Sequence, residues 1–219
     1  MKKLLFWMAL IVGIVVILGS CAKKDETTTA TTSTATTSTT TSITTTTPSG
    51  SITLGSYTVS GVYKSGCYSS GVSVYVAAGA FPTDVQSFAM TFVVTGNDNF
   101  TQETHTFTDT GCTTSSYITK AVRDNVTVGT ASGSNYPVTY NKQGSKLTVN
   151  TTTAKSFLET LYSNVGLTYN FTVGTEKTIA GTGSLAYGLW TPGATTIYLA
   201  AESTDSTPET AGAIVYTKE

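Results

Sequence analysis

One strand-like segment carries the side chains best suited to acid–base or metal chemistry. His105 is the only histidine of the chain, and alternation with period two places it on the same strand face as Glu103 and Asp109. A row of this kind can bind a metal ion or orient a general base. No nucleophile stands at a recognisable spacing from it. We therefore predict no catalytic centre, no metal and no cofactor, and we expect either a solvated outer strand face or a structural hydrogen bond.

The N-terminus carries a second pattern with chemical consequences. Lys2 and Lys3 precede an almost unbroken apolar run, residues 4–18, and the tetrapeptide LGSC then ends at Cys21. This order resembles the leader and lipobox of bacterial lipoproteins. The resemblance implies that the leader, residues 1–20, is removed and that the Cys21 sulfur is diacylated. The mature chain would then be held on a lipid bilayer.

A retained transmembrane helix is the alternative for the same segment. A helix needs about 20 apolar residues to cross the hydrocarbon core, and the run from Leu4 to Gly19 has only about 16. Acyl chains bind firmly when there are two or three of them, since each buried methylene contributes about 0.8 kcal/mol. Ala22 follows the lipidated position, and the resemblance to Gram-negative lipoproteins then implies sorting to the outer membrane. We expect an envelope protein anchored there, facing the periplasm or the cell surface.

Residues 21–50 have a composition unlike the rest of the chain. Thr27 to Thr47 is a run of Thr and Ser interrupted by only two Ala and one Ile. Such a segment cannot bury enough apolar surface to offset an ordering cost of about 1–2 kcal/mol per residue. We predict a disordered tether, which is either a spacer that lifts the domain off the membrane or filler without a further role.

Charge and cysteine content constrain residues 51–219, which are enough for one domain. Without the two leader lysines, the 12 basic residues fall to 10 against 13 acidic residues, and Arg123 is the only arginine. This balance argues against a nucleic-acid partner, which is bound by clustered Lys and Arg. Cys67 and Cys112 remain as a pair in an oxidising environment. We predict one disulfide between them.

Apolar and polar residues alternate through the domain between clusters of Gly, Ser, Asn and Asp, which predicts many short strands. The clearest stripe lies in residues 88–94. One stretch has helical spacing instead and predicts a short helix near 153–163, and a turn is predicted at 141–144. The predicted strands are 57–63, 72–76, 88–94, 100–107, 117–128, 136–140, 146–150, 167–173, 185–190, 195–201 and 213–217.

Strands this short leave no room for βαβ crossovers, so the predicted class is all-β, with an antiparallel sheet closed into a barrel or folded into a sandwich. Three segments occur in a suggestive order: GVY at 61–63, SGC at 65–67 and FTDTGC at 107–112, with a helix between later strands. This order resembles bacterial lipocalin-like lipoproteins from about Tyr57 to the C-terminus. The resemblance implies an antiparallel meander closed into a lipocalin-like barrel. A β-sandwich with the same disulfide is the alternative.

Aromatic residues are frequent in the predicted strands. A barrel of about eight strands is filled by its side chains or holds one small ligand, and tyrosine-rich walls suit an apolar molecule with a polar end. One hypothesis is an anchored, monomeric barrel that binds a small, mainly apolar ligand. The other is a structural lipoprotein whose filled β-domain contacts proteins or glycans. The residues predicted to line a ligand site are Tyr63, Phe88, Phe92, Tyr169, Phe171 and Trp190.

Replacing the lipobox cysteine tests the anchor directly. Cys21→Ser lacks the acceptor sulfur, so we expect no labelling by an alkyne fatty acid and accumulation of full-length precursor in the membrane. Gels of metabolically labelled cells report both effects. The double variant Cys67→Ser/Cys112→Ser keeps the lipobox and should be labelled normally. Normal labelling of Cys21→Ser would contradict the assignment.

Overall fold

The computed structural model describes residues 46–219. The leader, Cys21 and most of the tether lie outside the described residues. The folded domain begins slightly before residue 51, because Ser49 already forms a bridge with Thr95.

The described residues form eleven strands and two helices. The strands are β1 (Ile52–Leu54), β2 (Tyr57–Val59), β3 (Val62–Lys64), β4 (Ser87–Val94), β5 (Phe100–Phe107), β6 (Ser115–Val128), β7 (Tyr136–Val149), β8 (Glu176–Ala180), β9 (Leu185–Pro192), β10 (Thr196–Leu199) and β11 (Val215–Lys218). The helices are α1 (Val72–Ala77) and α2 (Thr152–Ser163). The helix predicted near 153–163 is thereby confirmed.

Eight of the strands close into one antiparallel barrel. Each pairs with the next barrel strand in chain order, from β3 to β7 and then from β9 to β11, and β11 pairs back with β3. The extra strand β8 pairs with β7. The all-β prediction is confirmed, and closure through β11 and β3 decides for the barrel against the sandwich. Closure also leaves the eight barrel strands without an open sheet edge between β3 and β11.

The strand β4 shows how alternation fills the barrel. Its eight residues pair with the eight residues of β5 without interruption. All eight side chains of β4 are buried, and they point alternately into the barrel and outward from the sheet. The inward stripe, which belongs to the main hydrophobic core, is Phe88, Met90, Phe92 and Val94.

A hairpin covers one end of the barrel. The hairpin β1–β2 contacts the turn between β4 and β5, where Ser51 N donates to Asn97 Oδ1 at 3.3 Å. On the other side of the same end, Gly55 lies so close to the Tyr136 hydroxyl that a Cβ atom would collide with it. Gly55 also has a φ of +60°, which disfavours residues with a side chain. Both the collision and the backbone conformation therefore favour glycine at this position.

The two helices cover the opposite end. Asp84, in the loop between α1 and β4, accepts hydrogen bonds from Ser116 Oγ at 3.1 Å and from Thr151 Oγ1 at 2.6 Å. Thr151 is also the N-cap of α2 and accepts from Ala154 N at 3.0 Å. One carboxylate therefore joins the α1–β4 loop, β6 and α2, and the buried Leu158 turns α2 toward the core.

The strand predicted at 72–76 is wrong, because these residues form α1. Its alternating valines do not share an environment, since Val72 is 2% exposed and Val74 is 67% exposed. Helical spacing instead brings Val72 and Tyr75 to the core side, with the Tyr75 ring 5.7 Å from that of Phe81. The sequence of this stretch fits both the two-residue period of a strand and the spacing of a helix. Packing of Val72 and Tyr75 against the core favours the helix.

Strand β7 runs through the turn predicted at 141–144. The register with β6 shifts between Val122 and Arg123 and skips Gln143, which forms a β-bulge. The predicted turn residues therefore bend one long strand instead of joining two short ones.

Two other predicted strands also differ from the structure. The strand at 57–63 is interrupted at Gly61, whose φ of +84° separates β2 from β3. The segment 167–173 is not a strand, although its residues alternate. It is held by side-chain contacts, and Phe171 N donates to Glu159 Oε1 of α2 at 2.9 Å.

Truncation of Phe92 tests whether this region of the barrel is packed. The side chain is fully buried, so Phe92→Ala should lower the free energy of unfolding by about 3–5 kcal/mol through the void that it leaves. The control Tyr198→Ala removes a side chain that is 37% exposed and should cost about 0.5 kcal/mol. Urea titration measures both. Equal losses in the two variants would contradict a packed environment for Phe92.

Candidate functional site

Four aromatic rings fill the interior at the end that the β1–β2 hairpin covers. The ring of Phe92 lies 5.2 Å from both Phe100 and Trp190. Phe100 lies 5.1 Å from Trp190 and 5.0 Å from Tyr140, both in edge-to-face geometry. All four side chains are buried. This aromatic core (Phe92, Phe100, Tyr140 and Trp190) packs one half of the interior.

Small or polar side chains face the interior further along β5, β6 and β7. Their direction follows from the register, because Gln102 pairs with Phe92 and cross-strand partners share a face. The same pairing continues from Gln102 to Ala121 and from Ala121 to Ser145. The inner wall, as we call this surface, consists of Gln102, Thr104, Thr119, Ala121 and Ser145.

Solvent reaches the inner wall, although its side chains point into a closed barrel. All five residues are partly exposed, whereas Glu103 and His105, which point outward from the same strand, are buried. Within residues 46–219, the four polar side chains of the inner wall make no side-chain hydrogen bond. Polar groups in such a position require water or a ligand. The inner wall is therefore a polar, partly exposed surface inside the barrel.

A charged cluster lies beside the aromatic core, and its Arg123 is one inward position further along β6 than Ala121 of the inner wall. Arg123 Nε donates to Glu202 Oε2 at 2.9 Å, and Lys142 Nζ lies 3.3 Å from Glu202 Oε1. Arg123 faces inward, since it pairs with Phe100 on one side and with Lys142 on the other. Burial, followed by the negative charge of Glu202, raises the pKa of Tyr140 above its ordinary value. We call Arg123, Lys142 and Glu202 the charged cluster.

The six residues predicted to line a ligand site fall into separate groups. Phe92 and Trp190 belong to the aromatic core, and the Tyr63 ring lies 6.2 Å from that of Phe92. Phe92 therefore joins Tyr63 and Trp190 through ring contacts.

The remaining three predicted residues lie elsewhere. Phe88 is at the helix-covered end, where its ring stacks on Tyr68 at 5.3 Å. Tyr169 and Phe171 pack against Tyr162 of α2, at 4.9 and 6.1 Å. All six residues belong to the main hydrophobic core or pack against it, and none of them belongs to the inner wall.

The inner-wall residues were not predicted to contact a ligand, because that prediction selected aromatic side chains. Gln102 and Thr104 lie in a Thr-rich segment that has no Phe, Tyr or Trp between Phe100 and Phe107. One signal was available, because alternation in phase with Phe100 places both residues on the face that Phe100 buries.

The row of Glu103, His105 and Asp109 does not form one site. His105 Nε2 and Glu103 Oε2 are 2.6 Å apart, and both side chains are buried. Of the two expectations for this row, the structure therefore has the structural hydrogen bond and not the solvated face. Asp109 instead belongs to the β5–β6 turn. Among the described residues, no three His, Cys, Asp or Glu side chains are placed to bind one metal ion.

The predicted disulfide joins Cys67 to Cys112. It links the segment after β3 to the β5–β6 turn, where the Asp109 carboxylate accepts from Gly111 N at 2.9 Å and Thr114 N at 2.6 Å. Burial acts to raise the pKa of Asp109, but these hydrogen bonds outweigh it and lower the pKa to about 2. The ionised carboxylate therefore organises the turn that carries Cys112.

A second concave region lies outside the barrel. It is an open groove of about 360 Å³ between α2 and the loop after α1, and its apolar residues include Pro82, Phe157 and Leu161. None of the six predicted ligand residues and none of the inner wall lines this groove.

No protein-family model matches the chain, and no curated protein matches it at a significant level. Within residues 46–219, no helix has the length and apolarity needed to cross a membrane. The fold is a closed eight-stranded antiparallel β-barrel with one extra strand.

The Asp109 turn predicts a pH dependence of stability. Because folding lowers the pKa from its ordinary value to about 2, the carboxylate stabilises the folded state above about pH 4, and this contribution is lost as the pH falls toward 2. Asp109→Asn should be less stable than the native protein at neutral pH, with a difference that shrinks over that interval. Urea titrations across this pH range measure it. Asp205→Asn, in an exposed loop, is the control, and a difference independent of pH would contradict the assignment.

Proposed function

We propose that the protein is a cell-envelope lipoprotein whose β-barrel binds a small, mainly apolar ligand against the inner wall. The observation that carries this proposal is the partial exposure of inward polar side chains that have no partner within residues 46–219. A packed barrel would bury such positions with apolar residues. Here they are arranged around a space instead.

The surroundings of the inner wall favour an apolar ligand with a polar part. Met90 and Leu147 flank it in the same inward row as Thr104 and Thr119. Binding sites for small molecules combine apolar surface with a few polar groups that fix orientation. The hydroxyl groups of the inner wall are suited to that second task.

The site that we propose differs from the one predicted by the aromatic residues. The aromatic core would form the closed end of the ligand site, and the inner wall would line the space itself. Phe88, Tyr169 and Phe171 would then support the helix-covered end without touching a ligand.

The anchor belongs to the same proposal. Lipidation of Cys21 would hold the barrel on the outer membrane, with the Thr-rich tether between them, and the protein would act as a monomeric binding module and not as an enzyme. The features that support the anchor are the charged start, the apolar run and the LGSC tetrapeptide of the leader.

A filled, structural barrel is the second candidate. The packing of the aromatic core and the covers at both barrel ends favour it. Under this hypothesis the protein contacts proteins or glycans through its outer surface.

A substitution that fills the space separates the two candidates. The protein is residues 21–219 with Cys21→Ser, and the ligand is the neutral dye N-phenylnaphthylamine, followed by fluorescence. The native sequence should bind the dye saturably. Ala121→Phe places a large ring at the inner wall and should weaken binding at least about tenfold, because it occupies the ligand space.

The neighbouring residue provides the matched control. Val122 points outward from the same strand, so Val122→Phe should leave dye binding unchanged. If the dye does not bind saturably and Ala121→Phe destabilises the fold by about 1–3 kcal/mol, as overpacking does, the interior is filled and the structural candidate is correct.

A further inference from the structure

The charged cluster combines three formal charges that do not cancel. Arg123 and Lys142 are cationic and share one carboxylate, that of Glu202. Their side chains are only 12–17% exposed. Asp124, the next residue along β6, does not balance them, because it faces away and accepts hydrogen bonds from Asn125 and Gln143. One positive charge is therefore left over in a largely buried position.

Donors also remain available in the charged cluster. The Arg123 guanidinium has five N–H groups, and within the described residues its hydrogen bonds go to Glu202 and to Val122 O. Lys142 has three N–H groups, and its one ion pair there is with Glu202. The cluster can therefore donate to a further acceptor without losing Glu202.

The free donors lie next to the inner wall. Arg123 is the next inward residue after Ala121 on β6, and Lys142 precedes Ser145 across the bulge of β7. A ligand that lies along the inner wall would therefore end at the charged cluster. A partly buried, uncompensated charge is costly, and a ligand that neutralises it gains the interaction in a medium of low dielectric constant.

We propose that the ligand is a single-chain amphiphile with one carboxylate, whose head group binds Arg123 and Lys142. This inference rests on the proposed ligand-binding function. The single surplus charge favours a monoanion over a doubly charged phosphate monoester, which would leave a negative charge buried. The apolar chain would lie against the inner wall, with Met90 and Leu147 beside it.

Two probes of equal chain length test the head group. Dodecanoate and dodecanol displace N-phenylnaphthylamine from residues 21–219 carrying Cys21→Ser, and the concentrations needed are compared. The native sequence should bind dodecanoate at least about tenfold more tightly than dodecanol. Lys142→Gln leaves Arg123 paired with Glu202 and removes the surplus charge, so dodecanoate should lose its advantage over dodecanol.

Lys146→Gln is the matched control. Lys146 lies four residues further along β7 but points outward, where it is 46% exposed and lies 3.8 Å from Glu176. This variant should keep the preference for dodecanoate. Equal affinity of the native protein for both probes, or equal effects of the two lysine variants, would overturn the carboxylate proposal and leave the binding function standing. If neither probe displaces the dye and the dye itself does not bind, the binding function fails as well.

Discussion

Strand β7 extends past the end of β9, and the extra strand β8 pairs with the part of β7 that β9 does not reach. Along one edge β7 pairs with β6, whereas along the other it pairs first with β9 and then with β8. The change of partner falls at the bulge at Gln143. There the backbones of Gly144 and Gly181 approach so closely that neither residue has room for a Cβ atom. Glycine at both positions therefore allows β9 and β8 to pair one after the other with the same edge of β7.

The bulge also separates two kinds of interior. Before it, β7 contributes Tyr140 to the aromatic core and Lys142 to the charged cluster. After it, β7 contributes Ser145 to the inner wall. Large rings pack against one another before the bulge, and small polar side chains face inward after it. The charged cluster lies where side-chain size and polarity change along the strands.

The sequence predicted the parts of the fold that depend on local pattern. The stripe Phe88 to Val94, the helix near 153–163 and the Cys67–Cys112 disulfide are all present. Closure into a barrel was predicted only through the resemblance to lipocalin-like lipoproteins, and it is confirmed by the pairing of β3 with β11. Those strands are short and lie far apart in the chain, so no local period reports their contact.

The candidate site was harder to predict than the fold, for two physical reasons. The aromatic residues predicted to line a ligand site include Phe92 and Trp190, whose rings pack against each other, and aromatic type alone does not separate a packed ring from one that touches a ligand. Gln102 and Thr104 were not among the predicted site residues, because they are not aromatic, although their phase relative to Phe100 places them inside. Arg123 and Glu202 are 79 residues apart, so only the folded barrel brings the charged cluster together.

The proposed function requires an accessible space along the inner wall of the barrel. A crystal structure of the mature chain, at a resolution that shows bound water, tests it most directly. We expect electron density for water or a bound molecule within hydrogen-bonding distance of Gln102, Thr104 and Thr119, inside the barrel. Side chains of the inner wall that hydrogen bond to one another across the interior, with no density between them, would contradict it.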